Sequence, residues 1–105
     1  MDLDIKKKFI KDTIKDMPKY YPEWCTDKSD ETIKVFVENI IAFAHQYRIF
    51  KSHNIYDLIH LEINFSLFSL IDGNAALKQI LTNINRNEKL RLEEVKTFLL
   101  KSLNK

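Results

Sequence analysis

Apolar residues recur every three or four positions along most of the chain, which is the period of an amphipathic α-helix. The clearest stretch begins at Ser29, whose side chain is suited to cap a helix, and Asp30 and Glu31 follow near the positive end of the helix dipole. Its apolar stripe consists of Ile33, Phe36, Val37, Ile40, Ile41, Ala44 and Tyr47. This pattern predicts a long helix that starts at Ser29 and extends to about Tyr47.

A first helix is predicted ahead of this one, from Leu3 to about Asp16. It is expected to end there because Pro18 and Pro22 follow closely, and proline interrupts the hydrogen bonds of a helix interior.

A third helix is predicted to begin near Ser52 or Asn54. Within it, the run from Leu61 to Leu67 alternates apolar and polar residues, which is the period of a half-buried strand. We favour the helix, because the chain contains no second run of comparable quality with which a strand could pair.

Gly73 and Asn74 form a turn signal, after which a fourth helix is predicted over residues 74–85, with Ile84 facing inward. A fifth is predicted over residues 87–103. The chain contains one glycine and two prolines, and such a shortage of breakers favours helices over a many-turned sandwich or barrel. The expected fold is therefore all-α, a bundle of about five helices in a single domain covering residues 1–105.

Composition agrees with a folded, soluble domain, since 45% of residues are apolar and 30% are charged. The formal net charge is only +2, which gives little attraction for phosphates, so nucleic acid is not an expected partner. No apolar run approaches the ~20 residues that span a bilayer, and no signal peptide is expected. The single cysteine, Cys25, cannot form an internal disulfide, which favours a reducing compartment and a cytoplasmic location.

Candidate chemistry is sparse. On a helix, His53, Asp57, His60 and Asn64 share one face and could converge on a metal ion, although this face lies opposite the apolar stripe and also fits a solvated surface. We expect no metal or other cofactor, because no HExxH pattern, phosphate loop or dinucleotide motif is present.

Two single residues are further candidates for catalysis. Glu62 falls on the apolar side of its helix, where a carboxylate needs a partner or a raised pKa. A salt bridge to Arg48 or a lysine, or a position at the rim of the bundle, is the simpler interpretation. Cys25 has no histidine nearby in sequence that would activate its thiol. We therefore expect no catalytic residue.

Two segments combine aromatic or apolar residues with few charges, as protein interfaces do. They supply the candidate partner-binding residues, which are Tyr20, Tyr21, Trp24, Phe65, Leu67 and Phe68. If these residues do not bind a partner, the next candidate surface is the polar side of the fifth helix, around Arg91, Glu94 and Lys101.

Several dispersed features between Tyr21 and Leu70 carry a resemblance. They are Tyr21-Pro22-Glu23, the acidic helix start Asp30-Glu31, the stretch from Ala44 to Ile49, and Asn54-Ile55 at the start of a new helix. In this order they resemble small uncharacterised helical accessory proteins from bacterial gene clusters that encode PAAR-tip proteins, effector chaperones and toxins of type VI secretion. The chain departs from that group at Arg48, where the group has glycine, and at Asn54, where it has aspartate.

The resemblance implies an accessory role without catalytic residues. We expect a non-enzymatic protein-interaction module, a cytoplasmic adaptor or co-chaperone for a secreted bacterial effector. An immunity protein that neutralises a cognate toxin is the alternative, although inhibitors of nucleases often present an acidic patch and none is evident here. A small metal-dependent enzyme using His53 and His60 is a further alternative. The sequence leaves the oligomeric state open.

Overall fold

A computed structural model of the chain describes residues 3–103, and in this range it is all-α and contains no strand. Seven helices are present there: α1 (Leu3–Tyr20), α2 (Pro22–Cys25), α3 (Asp30–Gln46), α4 (Ser52–Phe65), α5 (Leu67–Ile71), α6 (Ala75–Thr82) and α7 (Glu88–Leu103). The prediction of an all-α fold is confirmed, but the number of helices is seven rather than about five. The chain divides into two compact units, Met1–Phe43 and Ala44–Lys105, and the boundary falls within α3.

One additional helix begins at the second proline. The first helix does not end at Asp16 but continues through Pro18 to Tyr20, because a proline close to the end of a helix removes a single hydrogen bond and leaves the last turn intact. The Tyr21 N–H still donates to the Met17 carbonyl at 2.8 Å. Pro22 then occupies the start of the short helix α2, where its missing N–H costs nothing.

The other additional helix arises because the predicted third helix is divided in two at Ser66. This residue adopts the left-handed conformation, with φ of 53°, and ends α4 immediately before α5 begins. Its N–H donates to the Glu62 carbonyl at 3.0 Å. The alternating run from Leu61 to Leu67 is thus helix–turn–helix, and the preference for helix over strand is confirmed.

Local capping signals define the beginning of α3 as predicted. The Ser29 hydroxyl accepts a hydrogen bond from the Thr32 N–H at 3.2 Å. The end of α3 is a Schellman motif, in which the Ile49 N–H donates to Ala44 at 2.8 Å and the Arg48 N–H to His45 at 3.1 Å. Arg48 occupies the left-handed position of this motif, with φ of 57°, where glycine is the preferred residue.

The last two helices begin at asparagine caps close to the predicted positions. Asn74 accepts from the Leu77 N–H at 3.1 Å, and Asn87 accepts from the Leu90 N–H at 2.9 Å. However, α6 ends at Thr82, three residues before the predicted boundary. Ile84 therefore lies beyond the helix and is 60% exposed, so its predicted inward position is wrong.

Each unit contributes its own set of buried side chains. In the first, the buried apolar residues are Phe9, Ile10, Met17, Ile33, Val37, Ile40 and Ile41. In the second they are Ala44, Ile49, Ile55, Leu58, Ile59, Leu61, Leu67, Ile71, Leu77, Leu81, Leu92, Val95 and Leu99. Helix α7 contacts α4 and α6, and α5 contacts both α4 and α6. Across the described range, none of the helices has the length and apolar character needed to cross a membrane.

Candidate functional site

The aromatic segment, Tyr20 to Trp24, spans the junction of α1 and α2 in the first unit. Tyr20 is the most exposed of the large hydrophobic side chains described, with 73% of its surface accessible, whereas Tyr21 and Trp24 are half-buried. Because Pro22 fixes the backbone between them, these aromatics lie on a short, conformationally restricted turn.

Trp24 is held from two directions by residues that follow it in the chain. Its ring centroid lies 4.5 Å from that of Phe36, with the planes tilted by 52°. The Lys28 ammonium lies 4.3 Å from the Trp24 ring centroid and donates to the Trp24 carbonyl at 2.7 Å. These contacts make Trp24 an anchor of α2, so the accessible part of the aromatic segment centres on Tyr20.

The second predicted group, in the other unit, is only partly accessible. Phe65 and Phe68 are half-buried, one at the end of α4 and the other in α5. Leu67 is fully buried, so this candidate partner-binding residue offers no surface to a partner. The reason is the left-handed turn at Ser66, after which Leu67 begins α5 as a core residue.

Glu62 is half-buried, and its role is to support the turn between α4 and α5. Its carboxylate Oε1 accepts a hydrogen bond from the Phe68 N–H at 3.0 Å. This hydrogen bond takes the place of a salt bridge to Arg48 or a lysine, and half-burial agrees with the alternative of a position at the rim. A carboxylate at the beginning of a short helix satisfies an otherwise unbonded N–H, so Glu62 stabilises local structure.

The histidine face of α4 is exposed at all four positions, His53, Asp57, His60 and Asn64. Asn64 donates its side-chain N–H to the His60 carbonyl at 2.9 Å, and its nitrogen lies 3.2 Å from His60 Nδ1. Within residues 3–103, no three His, Cys, Asp or Glu side chains are grouped closely enough to hold a metal ion.

Asp57 and His60 also line a cleft of about 230 Å³ between α4 and α7. Lys89, Glu93 and Lys96 contribute charges of both signs to the same cleft. This mixture gives no preference for an anionic or a cationic ligand.

Cys25 is half-buried at the end of α2. Burial raises the pKa of its thiol, while the nearby charge of Lys28 acts in the opposite direction and does not fully compensate. The thiol is therefore a weaker nucleophile at neutral pH than an ordinary exposed cysteine.

Arg91 is the most unexpected polar residue, since only 3% of it is exposed. Its guanidinium donates to the carbonyls of Tyr47 at 2.6 Å, Leu81 at 2.7 Å, Arg48 at 3.2 Å and Arg86 at 3.2 Å. These carbonyls belong to the C-terminal ends of α3 and α6 and to the loop that follows α6. Its predicted place on the polar side of the last helix is wrong, because the guanidinium caps two helix ends.

Glu88, in the first turn of α7, accepts hydrogen bonds at the start of α4, whereas Arg91 donates them at the ends of helices. Its carboxylate accepts hydrogen bonds from the backbone N–H groups of Lys51 at 2.9 Å and Phe50 at 3.2 Å, and from the Asn54 side chain at 2.8 Å. Burial opposes its ionisation, but the hydrogen bonds from Asn54, Lys51 and Phe50, with the charge of Lys51, outweigh burial and lower the pKa of Glu88.

A shallow groove of about 450 Å³ lies along the outer side of α7, beside α6. We call it the α7 groove; its lining residues are Ile80, Arg86, Leu90, Glu93, Glu94, Thr97, Phe98 and Lys101. Arg86 forms an ion pair with Glu94 within it. Of the three residues proposed for the polar side of the last helix, Glu94 and Lys101 line this groove, whereas Arg91 does not.

No protein-family model matches the chain, and no curated protein or solved structure matches it either.

Proposed function

We propose that this chain is a non-enzymatic protein-interaction module that binds its partner through the aromatic segment. The observation that carries the proposal is Tyr20, which is 73% exposed at the end of α1. A large aromatic side chain left in water on a restricted turn has little to do for the fold, whereas such residues are enriched among the energetic centres of interfaces.

The surroundings of Tyr20 support the same proposal. Trp24 is fixed by Phe36 and Lys28, so a partner that contacts this turn meets a surface that is already ordered. Binding to an ordered surface loses less conformational entropy than binding to a flexible loop.

The candidates for catalysis have structural roles or ordinary surroundings. Glu62 supports the α4–α5 turn, and the raised pKa of Cys25 suppresses its thiolate. For these reasons we favour binding over an enzymatic activity.

The resemblance to accessory proteins of type VI secretion gene clusters extends the proposal to a kind of partner. The chain then acts in the cytoplasm as an adaptor or co-chaperone for a secreted effector. The alternative is an immunity role. It is indicated if the partner identified is a toxin that the chain neutralises, rather than an effector chaperone.

The test is affinity purification of the tagged full chain from cells of its own host, with mass spectrometry of what co-purifies. Three versions are compared: the wild type, Tyr20→Ala, and the matched control Tyr56→Ala, which removes a tyrosine that is 37% exposed on α4. The proposal expects a stoichiometric partner with the wild type and Tyr56→Ala, and its loss with Tyr20→Ala. Recovery of the same partner with all three variants, or of no partner with the wild type, contradicts it.

A further inference from the structure

The outer side of α7 carries charges arranged symmetrically about one residue. Glu93, Thr97 and Lys101 are spaced four residues apart and form one stripe, with Thr97 at its centre. All three are exposed and line the α7 groove. The acidic and basic ends of the stripe are separated by about 12 Å along the helix, from a rise of about 1.5 Å per residue.

The charged ends have no ion-pair partner in the part of the chain that the structure describes. The ion pairs there join Lys28 to Asp27 and Arg86 to Glu94. Glu93 and Lys101 therefore present an unpaired anion and an unpaired cation on the same stripe.

Apolar side chains flank this stripe. Leu90 and Leu100 are each 44% exposed, and Phe98 is half-buried in the α7 groove. The buried side of α7 is a different stripe, formed by Leu92, Val95 and Leu99, so the outer apolar residues are not needed for the core of the second unit. Because Leu100 and Phe98 lie on opposite sides of the charged stripe, the outer side of α7 is a mixed apolar and charged surface that is open to a second contact.

We propose that the occupant of this surface is a second copy of the chain, bound with its α7 antiparallel to the first. When two such helices cross at Thr97, Glu93 of each copy faces Lys101 of the other, and both ion pairs form at once. The contact is isologous, as a two-fold dimer requires. A helix of another protein would need a cation and an anion about 12 Å apart to pair with Glu93 and Lys101. A second copy in the antiparallel orientation carries Lys101 and Glu93 at this same separation.

The apolar and charged residues have different roles in this dimer. Leu90, Leu100 and Phe98 supply the area removed from water, and the two Glu93–Lys101 pairs set the antiparallel register. This surface shares no residue with the aromatic segment, so separate substitutions test the dimer and the proposed partner complex.

The test is sedimentation velocity of the purified full chain across micromolar to submillimolar concentrations. Lys101→Glu places like charges opposite each other twice, so we expect its dimer dissociation constant to rise about tenfold. Glu93→Lys is expected to do the same. An equimolar mixture of the two variants restores both pairs and is expected to recover a dimer, now containing one copy of each.

The matched control is Lys78→Glu, which makes the same charge reversal at an exposed residue of α6 that lines neither the α7 groove nor the cleft between α4 and α7. It is expected to leave the dimer unchanged. A wild-type chain that is monomeric throughout this range overturns the proposal. A dimer that is indifferent to Lys101→Glu, or a variant mixture that stays monomeric, also overturns it.

Discussion

Glu88 and Arg91 lie one turn apart at the start of α7 and cap opposite ends of other helices. The Glu88 carboxylate accepts hydrogen bonds from the Lys51 N–H, immediately before α4, and from the Asn54 side-chain amide in its first turn, and the Arg91 guanidinium donates to carbonyls at the ends of α3 and α6. Each charge is matched to the helix dipole that it meets, negative at an N-terminus and positive at a C-terminus. One turn of α7 therefore connects three other helix ends of the second unit.

Replacement of Arg91 by leucine is expected to lower the free energy of unfolding by about 3 kcal/mol, because the buried Leu81 carbonyl and three part-buried carbonyls lose a charged donor at once. Arg91→Lys is expected to be intermediate, since one ammonium cannot reach every carbonyl that the guanidinium spans. Urea denaturation measures both. The control, Arg86→Leu, removes a half-exposed arginine in an ion pair with Glu94 and is expected to cost about 1 kcal/mol or less. Equal losses for Arg91→Leu and Arg86→Leu would contradict the capping role.

The contribution of Glu88 depends on pH in a defined direction. Its pKa is lowered in the folded chain, so its stabilisation is complete above the unfolded value of about 4.3 and is lost as pH falls through the folded value. We expect Glu88→Gln to cost about 1–2 kcal/mol at neutral pH. Urea midpoints between about pH 6 and pH 3 should show this difference shrinking as the solution is acidified. A difference that stays constant over this range would rule out the charged form as the source of the stability.

Arg48 adopts a backbone conformation that glycine would adopt without strain. With φ of 57°, it holds a left-handed position that an L side chain disfavours by about 1 kcal/mol. Arg48→Gly is therefore expected to be more stable than Arg48→Ala by about this amount. The alanine variant removes the same side chain and keeps the unfavourable backbone, which isolates the effect. Thermal or urea unfolding that ranks alanine equal to or above glycine would contradict this interpretation.

The reactivity of Cys25 should follow its environment. Burial raises the pKa of the thiol, so the pH midpoint for alkylation by iodoacetamide is expected to lie above the ordinary value of about 8.5. Lys28→Gln removes the opposing charge and should move the midpoint higher still. The unfolded chain in urea provides the reference. A midpoint below that reference in the folded wild type would be inconsistent with a buried, suppressed thiol.

The sequence was most informative where a signal is local. Ser29 and Asn74 cap helices through their own side chains, and each could be recognised from the few residues that follow it. The stripe of α3 was equally clear, because an apolar period of about 3.6 residues that persists over several turns is specific to an amphipathic helix.

Features that depend on distant contacts or on an unfavoured backbone were missed. Arg91 appears as an ordinary polar residue in the sequence, and its burial depends on carbonyls more than 40 residues away at Tyr47 and Arg48. Ser66 ends α4 in a left-handed conformation without the glycine that usually signals it. The aromatic segment was identified from its composition, but only the structure distinguishes the exposed Tyr20 from Trp24, which packs against Phe36.

Whether Tyr20 is an energetic centre of a protein interface is decided by calorimetric titration of the purified co-purifying partner into the wild type, Tyr20→Ala and Tyr56→Ala. Circular dichroism spectra establish beforehand that the three proteins are equally helical. We predict that Tyr20→Ala raises the dissociation constant by about tenfold or more, since an interface centre contributes at least ~1–2 kcal/mol, while Tyr56→Ala leaves it unchanged. An unchanged dissociation constant for Tyr20→Ala would contradict the proposed role of this residue.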